Sequence, residues 1–247
     1  MKNLNKKVWN KSEIIAATKG EDISKKFLQK KKVTGISIDT RSIKKGDLFI
    51  ALTGENFDGH DYAKYYESYF QKIKKNKLDV LEIGAFYGNA AAALFFYFKN
   101  SKIYSADIFP DLFSYKSERI KNFFVDSSSE SSIQESINIL KNNFDIIIED
   151  ASHSYKDQII SLFMLFPKLN SGGIFVTEEL DFPDTRKDMN LKNQKPTLRD
   201  ILLEVKSGNE FNNSLVSEEQ KKYFLSNFNE IKICKGKFNE IAIIIKK

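Results

Sequence analysis

Leu78-Asp-Val-Leu-Glu-Ile-Gly-Ala-Phe-Tyr-Gly88, followed by the alanine-rich stretch Asn89–Lys99, decides how this chain is read. A β-type run, Leu78–Ile83, passes through Glu82-x-Gly84-x-x-x-Gly88 into a helix. Glycines at such a turn let the backbone come close to a ligand at a helix N-terminus, where unpaired N–H groups point outward. The unit predicts the first strand of an open α/β sheet with a ligand crevice above it.

Working outward, further β-type runs follow at Ile103–Ile108, Phe123–Val125, Phe144–Glu149 and Gly173–Glu178. Helical stretches are predicted between them at Ser114–Lys121, Ser131–Asn142 and Lys156–Leu169. Several of the strands are apolar without alternation, as strands covered on both faces are. Helices near Leu198–Val205 and Ser217–Phe228 come next. The runs Ile231–Lys235 and Glu240–Lys246 flank Gly236-Lys237 and read as a closing hairpin. The expectation is an α/β fold with a mostly parallel sheet and an antiparallel end. Phe182–Pro196, polar and without apolar period, is expected to be a mobile flap.

Asp107 ends the second strand 23 residues after Gly84, placed to accept hydrogen bonds from two ribose hydroxyls, and Asp126 ends the third. With Glu82 before the first glycine, this spacing resembles the class I S-adenosylmethionine-dependent methyltransferases, which have a Rossmann-like sheet. That resemblance implies S-adenosylmethionine as cofactor. Glu82, Gly84, Ala85 and Gly88 would then shape the loop beside its methionine and ribose, Asp107 would hold the ribose, and Asp126 would lie near adenine.

Phe144-Asp-Ile-Ile-Ile-Glu-Asp-Ala-Ser-His-Ser-Tyr155 and Ile174-Phe-Val-Thr-Glu-Glu-Leu-Asp181 place three acids and one of the two histidines at adjacent strand ends. Hard oxygen ligands suit Mg²⁺, which keeps open positions for substrate hydroxyls, and an imidazole can take a proton near neutrality. The stretch resembles the metal-dependent sugar O-methyltransferases that act on macrolide antibiotics, and more loosely the cephalosporin hydroxylase-type proteins. The resemblance implies Asp150, Glu178 and Glu179 as ligands of Mg²⁺ and His153 as general base. The family usually has Gly where this chain has Ala151 and Asp where it has Glu179. Glu149 faces away from Asp150 if the strand continues that far.

The first quarter differs in texture. A short helix is predicted at Glu13–Thr18. Two strands, Val33–Asp39 and Asp47–Leu52, are joined through Lys44-Lys45-Gly46 as a hairpin, and a helix follows over Asp61–Lys75. The stretch from Val33 to Asp61, including Ile-Asp-Thr-Arg41 and Asp58-Gly-His60, resembles the N-terminal domain of Mur ligases. By that resemblance Ser37, Asp39, Thr40, Arg41 and His60 line a pocket for the uridine diphosphate end of a substrate. No Gly-Lys-Thr/Ser ATP loop occurs in the chain, which excludes ligase activity. The expected organisation is a Mur-like segment over residues 1–63 and a methyltransferase domain over 64–247.

Composition narrows the remaining classes. The 247 residues carry 39 Lys+Arg against 33 Asp+Glu, a net charge of +6; residues 1–63 hold 13 against 8 and the rest 26 against 25. This lysine excess has no interleaved aromatic motif, so nucleic acid is not expected as a partner. The single cysteine, Cys234, excludes an internal disulfide framework. No run is long and apolar enough to span a membrane, and the polar N-terminus has no leader pattern, so a cytoplasmic protein is expected. Joined, the two resemblances imply O-methylation of a sugar hydroxyl on a UDP-linked or other glycan-type substrate, and a homo-oligomer is the expected assembly. Two further readings are a non-catalytic scaffold for cell-wall or surface-glycan synthesis and metal-free transfer to nitrogen or a small acceptor.

Overall fold

The computed structural model describes residues 60–247, together with the backbone of residues 35–37 and 47–49. Strand β1 (Gly35–Ser37) pairs with β2 (Asp47–Phe49) in parallel, Gly35 opposite Asp47. That corrects the hairpin expected from the sequence, because a tight turn can join only antiparallel strands. The predicted helix at Glu13–Thr18 lies outside the described residues.

A seven-stranded sheet organises the rest. Its strands are β3 (Asp79–Ile83), β4 (Lys102–Asp107), β5 (Ile120–Phe124), β6 (Phe144–Glu149), β7 (Leu169–Thr177), β8 (Phe228–Lys235) and β9 (Glu240–Lys246), in spatial order β5-β4-β3-β6-β7-β9-β8. Strands β3 to β7 run parallel, and β9 is antiparallel to both β7 and β8. The closing hairpin is therefore as expected. Strand order reverses between β3 and β6, which opens a crevice at the carboxyl ends there.

Alternation along the central strands feeds two cores. Leu81, Ile147 and Phe175 pack on one face with Ile159 and Leu162 of α4 (Tyr155–Leu165) and Phe224 of α7 (Glu218–Asn227). Val80, Ile146 and Val176 pack on the other with Phe70 of α1 (Ala63–Ile73) and Leu94 of α2 (Asn89–Tyr97). Burial on both faces is why these strands lack polar alternation. Side chains fix several helix starts: Ser129 caps α3 (Glu130–Leu140), Ser154 caps α4, and Thr197 and Ser217 form capping boxes on α6 (Leu198–Lys206) and α7.

Two elements depart from the sequence reading. The helix predicted at Ser114–Lys121 is absent: a 3-10 turn at Pro110–Leu112 leads by an irregular path into β5, which starts at Ile120. Ile120 pairs with Ile103, so sheet register claims the end of the stretch. Phe182–Pro196 is not structureless either. It holds the four-residue helix α5 (Phe182–Thr185) and a 3-10 turn at Lys187–Met189. The Asn190 amide ties the segment together, donating to the carbonyls of Pro183 and Gln194 while accepting from the Gln194 N–H.

Candidate functional site

The last paired row of the central strands is Ala106, Ile83, Glu149 and Thr177. One residue further lie Asp107, Gly84, Asp150 and Glu178, still tied across strands by Gly84 N–H to Ala106 O at 2.9 Å, Asp150 N–H to Ile83 O at 2.9 Å and Glu178 N–H to Glu149 O at 3.0 Å. Sheet register thus carries four sequence-predicted residues to one edge.

At the β3–β5 end, Gly84 has φ +95° and Gly88 φ +85°, both in the left-handed region that favours glycine. A Cβ on Gly84 would lie 1.9 Å from the Asp150 carbonyl oxygen, so the glycine turn presses directly on the loop carrying the acids. Ala85 is buried and donates its N–H to Ala106 O. Asp107 accepts the N–H groups of Phe86 at 2.7 Å and Phe109 at 2.8 Å. Asp126 accepts from the Ser128 N–H and hydroxyl at 2.9 and 2.7 Å. Glu82 is fully buried and accepts a long hydrogen bond from the Ser105 hydroxyl at 3.5 Å; burial pushes its carboxyl up to about 8.

At the β6–β7 end, Asp150, His153 and Glu179 each turn one ligand-type atom to within 4.8 Å of the others. His153 Nε2 lies 3.7 Å from Asp150 Oδ1 and 3.8 Å from Glu179 Oε2. Glu178 is directed at the Tyr66 hydroxyl, which donates to its Oε1. His153 and Glu179 sit at φ +57° and +48°, left-handed conformations that cost non-glycine residues and gather at functional sites. Gln158, fully buried on α4, donates to the Glu178 and Glu179 carbonyls at 3.4 and 3.0 Å and so holds the acid turn. Glu149 is buried but lies outside the cluster.

Burial and mutual repulsion shape the charges. Asp150, Glu178 and Glu179 are all raised above the usual carboxylate range, first by burial; for Asp150 and Glu179 the neighbouring acids add to it. Burial lowers His153 to about 4, so its ring is neutral at pH 7. Glu179 Oε1 and His153 Nδ1 are buried without a hydrogen-bond partner among the described residues. Packed acids, an unprotonated imidazole and an orphaned carboxylate oxygen together form a donor set that fits a divalent cation.

His60 lies here too. Its Nδ1 stands 3.0 Å from Glu179 Oε1 and 3.1 Å from Asn239 Nδ2, and its pKa is lowered by burial. Ser37 ends β1, while Asp39, Thr40 and Arg41 lie outside the described residues. Sequence reasoning missed Tyr66, Gln158 and Asn239. The signal for Tyr66 was a tyrosine at a helix position that is otherwise core, since a buried phenol needs a polar partner.

Comparison with known proteins adds to this geometry. The MycE methyltransferase of the mycinamycin biosynthetic pathway, solved with Mg and S-adenosylhomocysteine, superposes with a TM-score of 0.63 at 20% identity over 78% of this chain and 51% of that one. The fold is that of the class I methyltransferases. In sequence, 128 residues are 29% identical to 8-demethyl-8-alpha-L-rhamnosyl tetracenomycin-C 2'-O-methyltransferase of Streptomyces olivaceus, covering 49% of this chain and 33% of that protein. The same length is 27% identical to demethylmacrocin O-methyltransferase of Streptomyces fradiae, covering 49% and 32%. The aligned part of this chain is thus about a third of either relative's length. Residues 32–131 match the Mur ligase family, catalytic domain. That match runs past residue 63 into strands β3 to β5, which the structure places in the methyltransferase sheet. Among the described residues no helix is long and apolar enough to cross a membrane.

Proposed function

We propose that this chain is an S-adenosylmethionine-dependent, magnesium-assisted O-methyltransferase acting on a sugar hydroxyl. The observation that carries the reading is the Asp150–His153–Glu179 cluster, half-buried at Asp150 and His153 and buried at Glu179, seated against the Gly84 turn at the switch point of a methyltransferase sheet. The relatives support it, since two are O-methyltransferases by name, one of them of a rhamnosyl tetracenomycin, and a third was solved with Mg and S-adenosylhomocysteine.

In this reading Asp107 holds the cofactor ribose, with Glu82, Gly84, Ala85 and Gly88 forming the loop beside it and Asp126 near the base. Asp150, Glu178 and Glu179 hold the cation. A magnesium ion bound there would supply the lowering of a sugar hydroxyl's pKa, and S-adenosylmethionine would supply the methyl group. His153, neutral at pH 7, accepts the hydroxyl proton, and the carboxylates within 3.8 Å of its Nε2 stabilise the imidazolium. Phe182 meets the His153 ring edge-on at 5.4 Å and shields it from water. The division into a segment over 1–63 and a domain over 64–247, and a UDP-linked or other glycan acceptor contacted by Ser37, Asp39, Thr40 and Arg41, belong to the same proposal. The acceptor is supported by the Mur-like sequence, and the division by the seven-stranded sheet, all of whose strands lie within the second part.

Calorimetric titration of S-adenosylhomocysteine, with and without Mg²⁺, tests the cofactor crevice. Binding at micromolar strength, roughly −8 kcal/mol, is expected; no binding under either condition would leave the scaffold reading. His153→Ala is expected to lower methyl transfer by about 10²–10⁴-fold with S-adenosylhomocysteine affinity unchanged. Unchanged turnover, in the variant or after chelation, overturns the base-and-cation mechanism.

A further inference from the structure

The segment joining the N-terminal quarter to the sheet is seated by contacts that converge on the acid pair. Lys237 N–H donates to His60 O at 2.8 Å, the Tyr65 hydroxyl to Lys235 O at 2.6 Å, and the Tyr62 hydroxyl to Glu240 O at 3.2 Å. The His60 and Tyr62 rings stack at 5.3 Å. Gly236, in the turn of the terminal hairpin, is what permits this closeness: a Cβ there would lie 2.1 Å from His60 O and 2.6 Å from the Tyr62 ring. Residues 60–66 are thus held against the β8–β9 hairpin by several independent contacts.

Two side chains of the docked segment reach the acids. Tyr66, buried on α1, donates its hydroxyl to Glu178 Oε1. That leaves the carboxylate with one oxygen free of this bond and fixes its rotation. His60 Nδ1 stands 3.0 Å from Glu179 Oε1 on the opposite side of the acid from His153, which faces Oε2. The Asn239 amide meets the same Nδ1 at 3.1 Å, so the contact with Glu179 becomes a hydrogen bond when Nδ1 carries the proton and the amide turns its oxygen to the ring; Oε2 is then directed toward Asp150 and His153. Each acid of the pair therefore meets a side chain of the joining segment at one of its oxygens.

We propose that His60 and Tyr66 are positioning residues for Glu179 and Glu178, so that the docked segment 60–73 sets the affinity of the site for a divalent cation. The inference rests on reading the acid cluster as a cation site. It assigns His60 a place in that site, where the Mur-like sequence alone suggested a nucleotide pocket.

The test is a titration of Mn²⁺ into the full chain, free cation being followed by its electron paramagnetic resonance signal. Wild type is compared with Tyr66→Phe, His60→Ala and Gly236→Ala. S-adenosylhomocysteine affinity and melting temperature are measured on the same samples. Tyr66→Phe and His60→Ala are each expected to weaken Mn²⁺ binding about 10-fold or more, as loss of a partner that orients a ligand does, with S-adenosylhomocysteine affinity within about twofold of wild type. Gly236→Ala, which removes no contact group but cannot keep the close approach to His60, is expected to weaken Mn²⁺ in the same direction. Equal Mn²⁺ affinity in wild type and both side-chain variants overturns the proposal. So does a parallel loss of Mn²⁺, cofactor affinity and melting temperature, which would mark a purely structural role. If wild type itself binds no Mn²⁺ at millimolar concentration, the cation reading fails and the inference fails with it.

Discussion

Asp107 and Glu179 stand near opposite ends of one sheet edge, and they are satisfied in opposite ways. Asp107 accepts two backbone N–H groups, from Phe86 and Phe109, both supplied by residues just beyond its own and the neighbouring strand. Glu179 Oε1 and the nearby Glu149 Oε2 are buried with no hydrogen-bond partner among the described residues. The glycine-turn end is thus tied by nearby backbone, with both Asp107 oxygens already hydrogen-bonded. The acid end concentrates Asp150, Glu178 and Glu179, each raised by burial, and its arrangement stores electrostatic cost that a cation would offset. A pre-formed half and an acid-rich half meet where the Gly84 turn presses on the Asp150 carbonyl.

Gly84 is where the two halves touch, so a substitution there breaks the comparison most severely. Gly84→Ala puts a Cβ 1.9 Å from a backbone oxygen of Asp150, at φ +95°, with no flexible atom to give way. A stability loss of at least about 3 kcal/mol is expected, in the range reserved for strain at special backbone positions. Both S-adenosylhomocysteine and cation affinity should fall together. Loss of one alone, with the other intact in calorimetry, would show that the halves are built independently.

The next test uses pH. Glu82 and Glu149, 1% and 0% exposed, are both pushed to about 8 by burial, against an ordinary glutamate value of 4.5. The folded state therefore binds more protons than the unfolded one between those values. Stability contributed in the protonated form is present at low pH and falls as pH rises through about 8. His153, lowered to about 4, acts in the other direction only below its ordinary 6.5. Cation-free protein is expected to melt about 5 °C or more lower at pH 8 than at pH 6.5, a kilocalorie being worth roughly 2–4 °C at this size. Mg²⁺ should raise the melting temperature more at pH 8, where the acids are ionised. A flat profile without cation would mean the acids are not held as the geometry implies.

What the sequence made legible follows the same division. The β3 turn was readable because its glycines and the acid of the next strand are local features at fixed spacing. The helix expected at Ser114–Lys121 failed because pairing of Ile120 with Ile103 outweighs a weak helical pattern. Asp150, His153 and Glu179 were readable from resemblance, and sheet register brings their strand ends together. Tyr66 was not: it meets Glu178 across 112 residues of sequence, and nothing within α1 says which acid its hydroxyl will find. The order within Phe182–Pro196 was equally hidden, since it depends on the Asn190 amide bonding backbone on both sides of it.

Gly88 gives the smallest effect and the finest measure of how self-contained the cofactor half is. Its φ of +85° carries a backbone penalty for any L-residue, but the atoms a Cβ would meet belong to the Phe113 ring, the nearest at 2.4 Å. A ring at the rim can swing aside where the Asp150 backbone cannot. Gly88→Ala is therefore expected to cost about 1–2 kcal/mol, well below Gly84→Ala. In a Phe113→Ala background the steric part should vanish, leaving the backbone part alone, so the double-mutant cycle returns the ring clash as a coupling term. Cation affinity should stay unchanged throughout, because Gly88 touches the helix start and not the acid loop. A drop in Mn²⁺ binding on Gly88→Ala would mean that strain at the helix N-terminus crosses the sheet edge, and that the pre-formed half helps hold the acids in place.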